Sequence, residues 1–271
     1  MIKQAIIPLA GLGTRLLPLT SVMPKELMPI NGKPNLQYIL DECIDAGVKE
    51  FIFIISKEKL LIKKYFFNDN FYKKIIKKKK DKRLFEEYKK IKRYQKMIKF
   101  VYQNKPKGTG DAVLKCQKFI KSKYFLMLLP DDLIIRNNCS KEMIRLHKKT
   151  NGSIIATKRV ERKTVSRWGI LSIKNKKKGH FQIKDVVEKP SIKNAPSNFA
   201  IIGRYILPTK IFGEIKKLKP GHGGEIHITD AIRSLIKKEN KFYGNIFTGK
   251  YLDCGTLSGY INSGIQIFKE K

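Results

Sequence analysis

The sequence predicts an α/β fold, a mixed and mostly parallel sheet flanked by helices with an inserted β-rich portion. Three observations predict it. Short, wholly apolar runs at residues 51–55 and 124–129 suit strands buried on both faces. Segments with apolar residues at helical spacing lie between such runs, giving a β-α-β-α-β alternation. Beyond about residue 151 the helical segments thin out and strand-like runs follow one another across turns.

Taken in order, residues 5–9 form a first strand that runs into a glycine loop. Asn35 precedes a helix with Leu36, Ile39, Leu40, Cys43 and Ile44 on one face, ending at Gly47. Residues 51–55 and 97–102 are the next strands. A helix from about 111 to 120 turns Val113, Cys116 and Ile120 inward, and the strand at 124–129 ends at Pro130-Asp131-Asp132. Strands follow at 153–157, 169–173, 181–187 and 199–207. A helix near 228–237 places Ile228, Ile232, Leu235 and Ile236 on one side. A last strand at 242–247 leads to Asp253-Cys254-Gly255 and a final helix. No linker rich in Pro, Gly or Ser interrupts the chain, and no internal repeat is visible.

Composition narrows the function classes. With 271 residues, 42% hydrophobic and 10% aromatic, the chain has material for a real core, which excludes wholesale disorder. No apolar window approaches the ~18 residues of a membrane span, and the start lacks a signal peptide, so a cytoplasmic protein with no membrane partner is expected. The four cysteines form no C-x-x-C pair and read as reduced structural thiols. H-E-x-x-H and G-x-S-x-G are absent, leaving zinc hydrolysis and elbow-serine chemistry unsupported.

Lys and Arg number 58 against 23 acids, a net charge of +35, which points to anionic partners. Lysine is over-used everywhere, however, as compositional drift would produce. Its densest stretch, residues 73–99, carries Leu84, Phe85, Tyr88, Ile91 and Met97 at spacings of a basic amphipathic helix. We read it as a solvated helix face on an inserted hairpin and a candidate contact surface for a homo-oligomer. A nucleic-acid interface is the alternative, but no nucleic-acid-binding motif accompanies it.

The glycine loop after the first strand contains Ala10, Gly11, Gly13 and Arg15. Glycines let backbone N–H groups approach an anion, and Arg15 adds a forked cationic donor. Ligands of open parallel sheets sit beyond the carboxyl ends of the strands, so the position suits a nucleotide. It is not a dinucleotide loop, because Leu16 stands where G-x-G-x-x-G needs its third glycine. A Walker loop is absent as well.

The residues that follow are more specific. Thr14-Arg15-Leu16, Pro18-Leu19-Thr20, Pro24-Lys25-Glu26, Pro29 and Gly32-Lys33-Pro34, in this order and spacing, resemble the sugar-1-phosphate nucleotidyltransferases. Ala10 before Gly11 and Glu26 after Lys25 are similar to the family's bacterial-type uridylyltransferases acting on glucose 1-phosphate. Later segments agree: Asp41-Glu42-Cys43-Ile44-x-Ala46-Gly47, Gly108-x-Gly110, Leu129-Pro130-Asp131-Asp132, Val187-Glu188-Lys189-Pro190, Ala200-Ile201-Ile202-Gly203-Arg204-Tyr205, Gly224-Glu225-Ile226-x-Ile228-Thr229-Asp230-Ala231-Ile232 and Asp253-Cys254-Gly255. The resemblance spans about residues 3–266.

It implies a Rossmann-like nucleotidyltransferase fold in one domain, residues 1–271. Residues 1–150 would mainly bind nucleotide, 151–250 mainly sugar, and 251–271 would form the C-terminal helix. It implies a Mg²⁺-dependent transfer from UTP to glucose 1-phosphate, giving UDP-glucose and pyrophosphate. Arg15 and Lys25 would bind the nucleotide phosphates and the departing pyrophosphate, and Lys189 the sugar phosphate and α-phosphate. Asp131 would ligate the metal, with Asp253 as a second carboxylate. The backbone of Ala10 and Gly11, with Gln103 and Gly108, would select the base, Glu26 would line the nucleotide pocket, and Gly169 and Glu188 would meet glucose hydroxyls. Where many members have His, this chain has Asp111, expected to cap the following helix or face the ribose. The alternatives are a thymidylyltransferase on the same fold, a basic nucleic-acid-binding protein, and a catalytically idle homologue.

Overall fold

A computed structural model describes residues 2–270. The chain runs through β1 (Gln4–Pro8), the small β2 (Pro29–Ile30) and β3 (Lys33–Pro34), α1 (Asn35–Asp45) and β4 (Glu50–Ile55). Next come α2 (Leu60–Phe67), α3 (Asp69–Lys79), α4 (Lys82–Met97), β5 (Ile98–Tyr102), α5 (Thr109–Lys115), β6 (Tyr124–Leu128), β7 (Asp132–Ile135) and α6 (Cys139–Thr150). The carboxyl-terminal part holds β8 (Ser153–Arg159), β9 (Gly169–Lys177), β10 (His180–Glu188), β11 (Phe199–Pro208), α7 (Ile211–Ile215), α8 (Ile228–Lys237), β12 (Phe242–Ile246), β13 (Lys250–Asp253) and α9 (Leu257–Lys269).

Among the described residues the main sheet has nine strands, ordered β5-β4-β1-β6-β11-β8-β12-β10-β9. The first four are parallel, as helical crossovers require, while β11 runs antiparallel to both β6 and β8. All ten residues of β11 are buried. Side chains alternate across the sheet with period two. Phe51, Phe53 and Ile55 of β4 enter one core with Leu40, Phe66 and Met143, while Ile52 and Ile54 enter the other with Val113, Phe125 and Phe181. Complete burial of one such side chain contributes about 1.5–3 kcal/mol.

Three expected elements differ in extent. The strand expected over 169–173 runs on to Lys177 as β9. The helix expected to reach residue 120 stops at Lys115 and continues as a short tight turn, Gln117–Phe119. Gln4 decides this: its Nε2 donates to the Phe119 carbonyl at 2.8 Å and its Oε1 accepts from Lys121 N at 2.8 Å, pinning the chain into β6. The lysine-rich stretch is two antiparallel helices, α3 and α4, joined through Lys80 in the left-handed conformation (φ 50°). Asp81 caps α4 by accepting from Arg83 N and Leu84 N. Tyr72 stacks on Tyr88 at 5.6 Å, and Ile91 and Tyr94 alone of α4 are buried. The hairpin therefore docks through a narrow seam and leaves its lysines in solvent. No helix among the described residues is long and apolar enough to cross a membrane.

An ion pair between β11 and α1 lies inside the protein. Arg204 of β11 donates to Glu42 of α1 at 2.8 Å, and its side chain is completely buried. Ser140 Oγ donates to the same carboxylate at 2.6 Å. Burial works against the guanidinium charge, but the attraction and hydrogen bonding of Glu42 outweigh it, and the Arg204 pKa is raised.

This packing can be tested at two positions. Arg204→Met strands Glu42 without its cation and should destabilise the protein by about 3–5 kcal/mol in urea unfolding; adding Glu42→Gln, which keeps an acceptor for Ser140, should recover part of that loss. No recovery would locate the defect in lost volume rather than lost charge. Gly244 faces Phe181 across β12 and β10, and a Cβ there would overlap the ring. Gly244→Ala should therefore cost about 1–3 kcal/mol, and an unchanged Tm would show that the ring can yield.

Candidate functional site

The site is built where β1 and β6 end. Leu9 N donates to the Ile54 carbonyl at 2.7 Å, after which the chain leaves the sheet. Gly13 takes a left-handed conformation (φ 72°), and Thr20 Oγ1 donates to its carbonyl at 2.9 Å. The next turn buries Leu16 as an anchor and leaves Arg15 projecting. Lys25, fixed after Pro24, begins another short turn, Lys25–Leu27.

Both cations meet Asp131. Lys25 Nζ lies 2.7 Å from Asp131 Oδ2, and Arg15 Nη2 lies 4.0 Å from the same oxygen. Burial penalises both charges of the close pair, but mutual attraction wins: the Asp131 pKa is lowered and the Lys25 pKa raised. The backbone under Asp131 is held from several sides. Leu129 N donates to the Gly203 carbonyl at 2.7 Å, and the buried Arg204 donates to the Leu129 carbonyl at 3.3 Å. Asn35 Nδ2 donates to the Pro130 carbonyl at 3.0 Å, and Cys254 N to that of Asp131 at 2.8 Å.

Asp132 points the other way, accepting from Gly203 N at 3.0 Å and Tyr251 OH at 2.6 Å. Burial and the Asp131 charge push its carboxyl up to about 6. Asp253 ends β13, opposite Asp132. Its Oδ1 accepts from Gly255 N at 2.8 Å, while Arg167 lies 3.5 Å from its Oδ2. A Cβ on Gly255 would stand 3.0 Å from Asp131 Oδ2 and 3.1 Å from Asp253 Oδ1. Glycine thus leaves open a spot on which two carboxylates converge. No group of three or more potential metal ligands occurs among the described residues. Two carboxylates, completed by substrate phosphates, suit Mg²⁺, which seldom takes an all-protein cage.

Two adjoining cavities share Leu129, Asp131 and Glu225. The smaller, about 250 Å³, is lined by Ala10, Gly11, Lys25, Glu26, Gln103 and Gly108. The larger, about 700 Å³, is lined by Arg15, Gly169, Glu188, Lys189 and Asp253. Every sequence-predicted site residue therefore reaches one cavity or the other, and Asp131 stands at their junction.

On the larger side Gly169 opens β9 opposite Glu188 at the end of β10. A Cβ at Gly169 would sit 3.2 Å from Glu188 Oε2. Thr229 Oγ1 donates to that oxygen at 2.9 Å. Lys189 adopts φ 43°, unusual for a residue with a side chain, and its N–H donates to the Trp168 carbonyl at 3.0 Å.

On the smaller side Gly108 has φ 94°, and a Cβ there would lie 2.5 Å from the Ile226 carbonyl oxygen. Only glycine allows that approach, which Gly110 N consolidates by donating to the same oxygen at 2.7 Å. Glu26 is fully buried and pairs through Oε2 with Lys59 at 2.9 Å, while its Oε1 has no partner. Burial raises the Glu26 pKa against the pull of Lys59 and Lys25. Asp111 does not cap α5; Gly108 holds the cap position without a side-chain bond, and Asp111 instead accepts from Gln103 Nε2 at 2.6 Å.

Sequence reading missed Arg167, Lys59 and Asn35 as site residues. None carries a local signal, since each matters through a partner at least 33 positions away. Glu225 and Thr229 were visible inside a motif but had no assigned place.

Residues 4–270 match the family model described as nucleotidyl transferase. The chain is 36% identical over 266 residues to the UTP–glucose-1-phosphate uridylyltransferase of Bacillus subtilis, covering 98% of this chain and 90% of that protein. It resembles a crystal structure of UDP-glucose pyrophosphorylase complexed with UDP-glucose (TM-score 0.89, 35% identity, 100% of both chains). It also resembles the UTP-bound enzyme from Acinetobacter baumannii (TM-score 0.88, 30% identity, 100% of this chain and 95% of that one). Matched along nearly its whole length, the chain belongs to the nucleotidyl transferase family.

Proposed function

We propose that the chain transfers the uridylyl group of UTP to glucose 1-phosphate, forming UDP-glucose and pyrophosphate. The observation that carries this reading is Asp131 at the junction of two cavities, with two cations on it and Glu188 and Lys189 lining the larger cavity beyond. The names of the full-length relatives support the choice of substrates.

The chemistry asks little of a base. A phosphate oxygen of glucose 1-phosphate forms a bond to the α-phosphorus of UTP. The bond from that phosphorus to the bridging oxygen breaks, and pyrophosphate leaves with the electron pair. The difficulty is to hold two polyanions in line, so positioning and fixed positive charge dominate. Ala10, Gly11, Gln103 and Gly108 hold the base in the smaller cavity, with Glu26 beneath. Arg15 and Lys25 neutralise the triphosphate and the leaving group. Glu188 accepts from sugar hydroxyls beside Gly169, and Lys189 holds the sugar phosphate against the α-phosphate. Asp131 and Asp253 would hold a divalent cation, Mg²⁺ in this reading, which when bound supplies positive charge to the crowded phosphates. On this division residues 1–150 chiefly serve the nucleotide and 151–250 the sugar, with Arg15 and Asp131 reaching across.

Pyrophosphate release from UTP and glucose 1-phosphate, with dTTP and other sugar phosphates as comparators, tests the proposal. UTP with glucose 1-phosphate should give the highest kcat/KM, and preference for dTTP would replace the uridylyl reading with the thymidylyl one. Asp131→Asn should lower kcat about 10²–10³-fold while the thermal transition persists; near-normal turnover would remove Asp131 from the mechanism. Glu188→Gln should raise the KM for glucose 1-phosphate about tenfold and leave that for UTP unmoved. Chelation should abolish turnover and added Mg²⁺ restore it, with Asp253→Asn shifting half-activation to higher metal concentration.

A further inference from the structure

The amide of Gln103 is held in one orientation. Its Nε2 donates to Asp111 Oδ2 at 2.6 Å and to the Gly108 carbonyl at 3.3 Å. Both partners only accept, so a flipped amide would set its oxygen against two others. Oε1 takes no hydrogen bond from the described residues and is not among the sealed polar atoms. Gln103 is 5% exposed and lines the smaller cavity, so the one atom it offers a ligand is an acceptor.

We infer that Asp111 is a positioning residue for base selection: it locks the Gln103 amide so that the cavity presents an oxygen, which a base must meet with a donor. This deepens the uridylyl reading and rests on it. Uracil has a single ring donor, N3–H. Cytosine carries a lone pair on N3 and would be turned away at that atom. A carboxylate suits the task because it has no hydrogen to donate, whereas an amide or an imidazole in its place could offer one. Lys115 Nζ, 3.9 Å from Asp111 Oδ2, is the cation recorded beside it. The Gly108 carbonyl belongs to a loop already pinned to Ile226, so the second acceptor is as fixed as the first.

The test is steady-state kinetics on wild type, Asp111→Asn, Gln103→Glu and the double variant, with UTP and CTP as donors and glucose 1-phosphate as acceptor. Asp111→Asn should raise the KM for UTP about tenfold, change kcat little, and narrow the preference for UTP over CTP. Gln103→Glu sets two carboxylates face to face and should weaken UTP use further. Adding Asp111→Asn to it supplies an amide donor to the carboxylate introduced at position 103, leaving the other oxygen for N3–H, and should recover most of that loss. A general structural defect would lower use of both nucleotides alike and would worsen in the double variant. An unchanged KM for UTP in Asp111→Asn, or a double variant no better than Gln103→Glu alone, overturns the lock. Absence of wild-type turnover with UTP overturns the substrate reading instead, and this inference with it.

Discussion

A half-buried carboxylate held between two cations at the floor of a cleft is the constraint around which this molecule is arranged. Asp131 stays charged because Lys25 stands 2.7 Å away and Arg15 approaches from the other side. Partial burial disfavours either charge alone, and their mutual attraction offsets that penalty. The pair in turn needs a rigid turn beneath it. Asn35 and Arg204 grip successive carbonyls of that turn, and Arg204 is itself neutralised by Glu42. A surface cleft is thus supported by an ion pair inside the protein.

The same logic explains the two glycines nearest the carboxylates. At Gly203 a Cβ would meet Asp132 and Leu129, and at Gly255 it would intrude between Asp131 and Asp253. One keeps the strand β11 close enough to grip the turn. The other keeps clear the place where two acids converge. Geometry in the larger cavity is fixed differently, by the left-handed backbone of Lys189 and by Thr229, which ties Glu188 to the start of α8. Because Ile226, just before that helix, also bonds the Gly108–Gly110 loop, one segment touches both cavities.

The lysine excess has another character. In α3 and α4 the hairpin rests on Ile91, Tyr94 and a tyrosine stack, and most of its cations face solvent. Its ion pairs, such as Lys89 with Glu86 and Lys90 with Glu87, are exposed helix-neighbour contacts of small energetic weight. Net charge alone therefore says little about this protein, while two placed cations say a good deal.

The sequence by itself determined the nine strands of the main sheet, the helices α1, α5, α8 and α9 and the glycine loop after β1, but not the small pairs β2–β3 and β7–β13 nor α2, α6 and α7. Those signals are local: an apolar run such as Phe51–Ile55 must be buried wherever it goes, and Gly13 and Gly108 mark backbone that other residues resist. With the motif order it also named the residues that line the cleft. Which charges meet, only the tertiary structure decided. Lys25 and Asp131 are 106 positions apart, Arg204 and Glu42 162, and although motifs mark these cations, nothing local says which carboxylate each one meets. The Asp111–Gln103 contact spans only eight positions, yet the sequence suggested for Asp111 a helix cap or a place facing the ribose, because its partner comes from beyond a turn whose path Ile226 sets. Pairing energy depends on distance and burial, and both are properties of the folded chain.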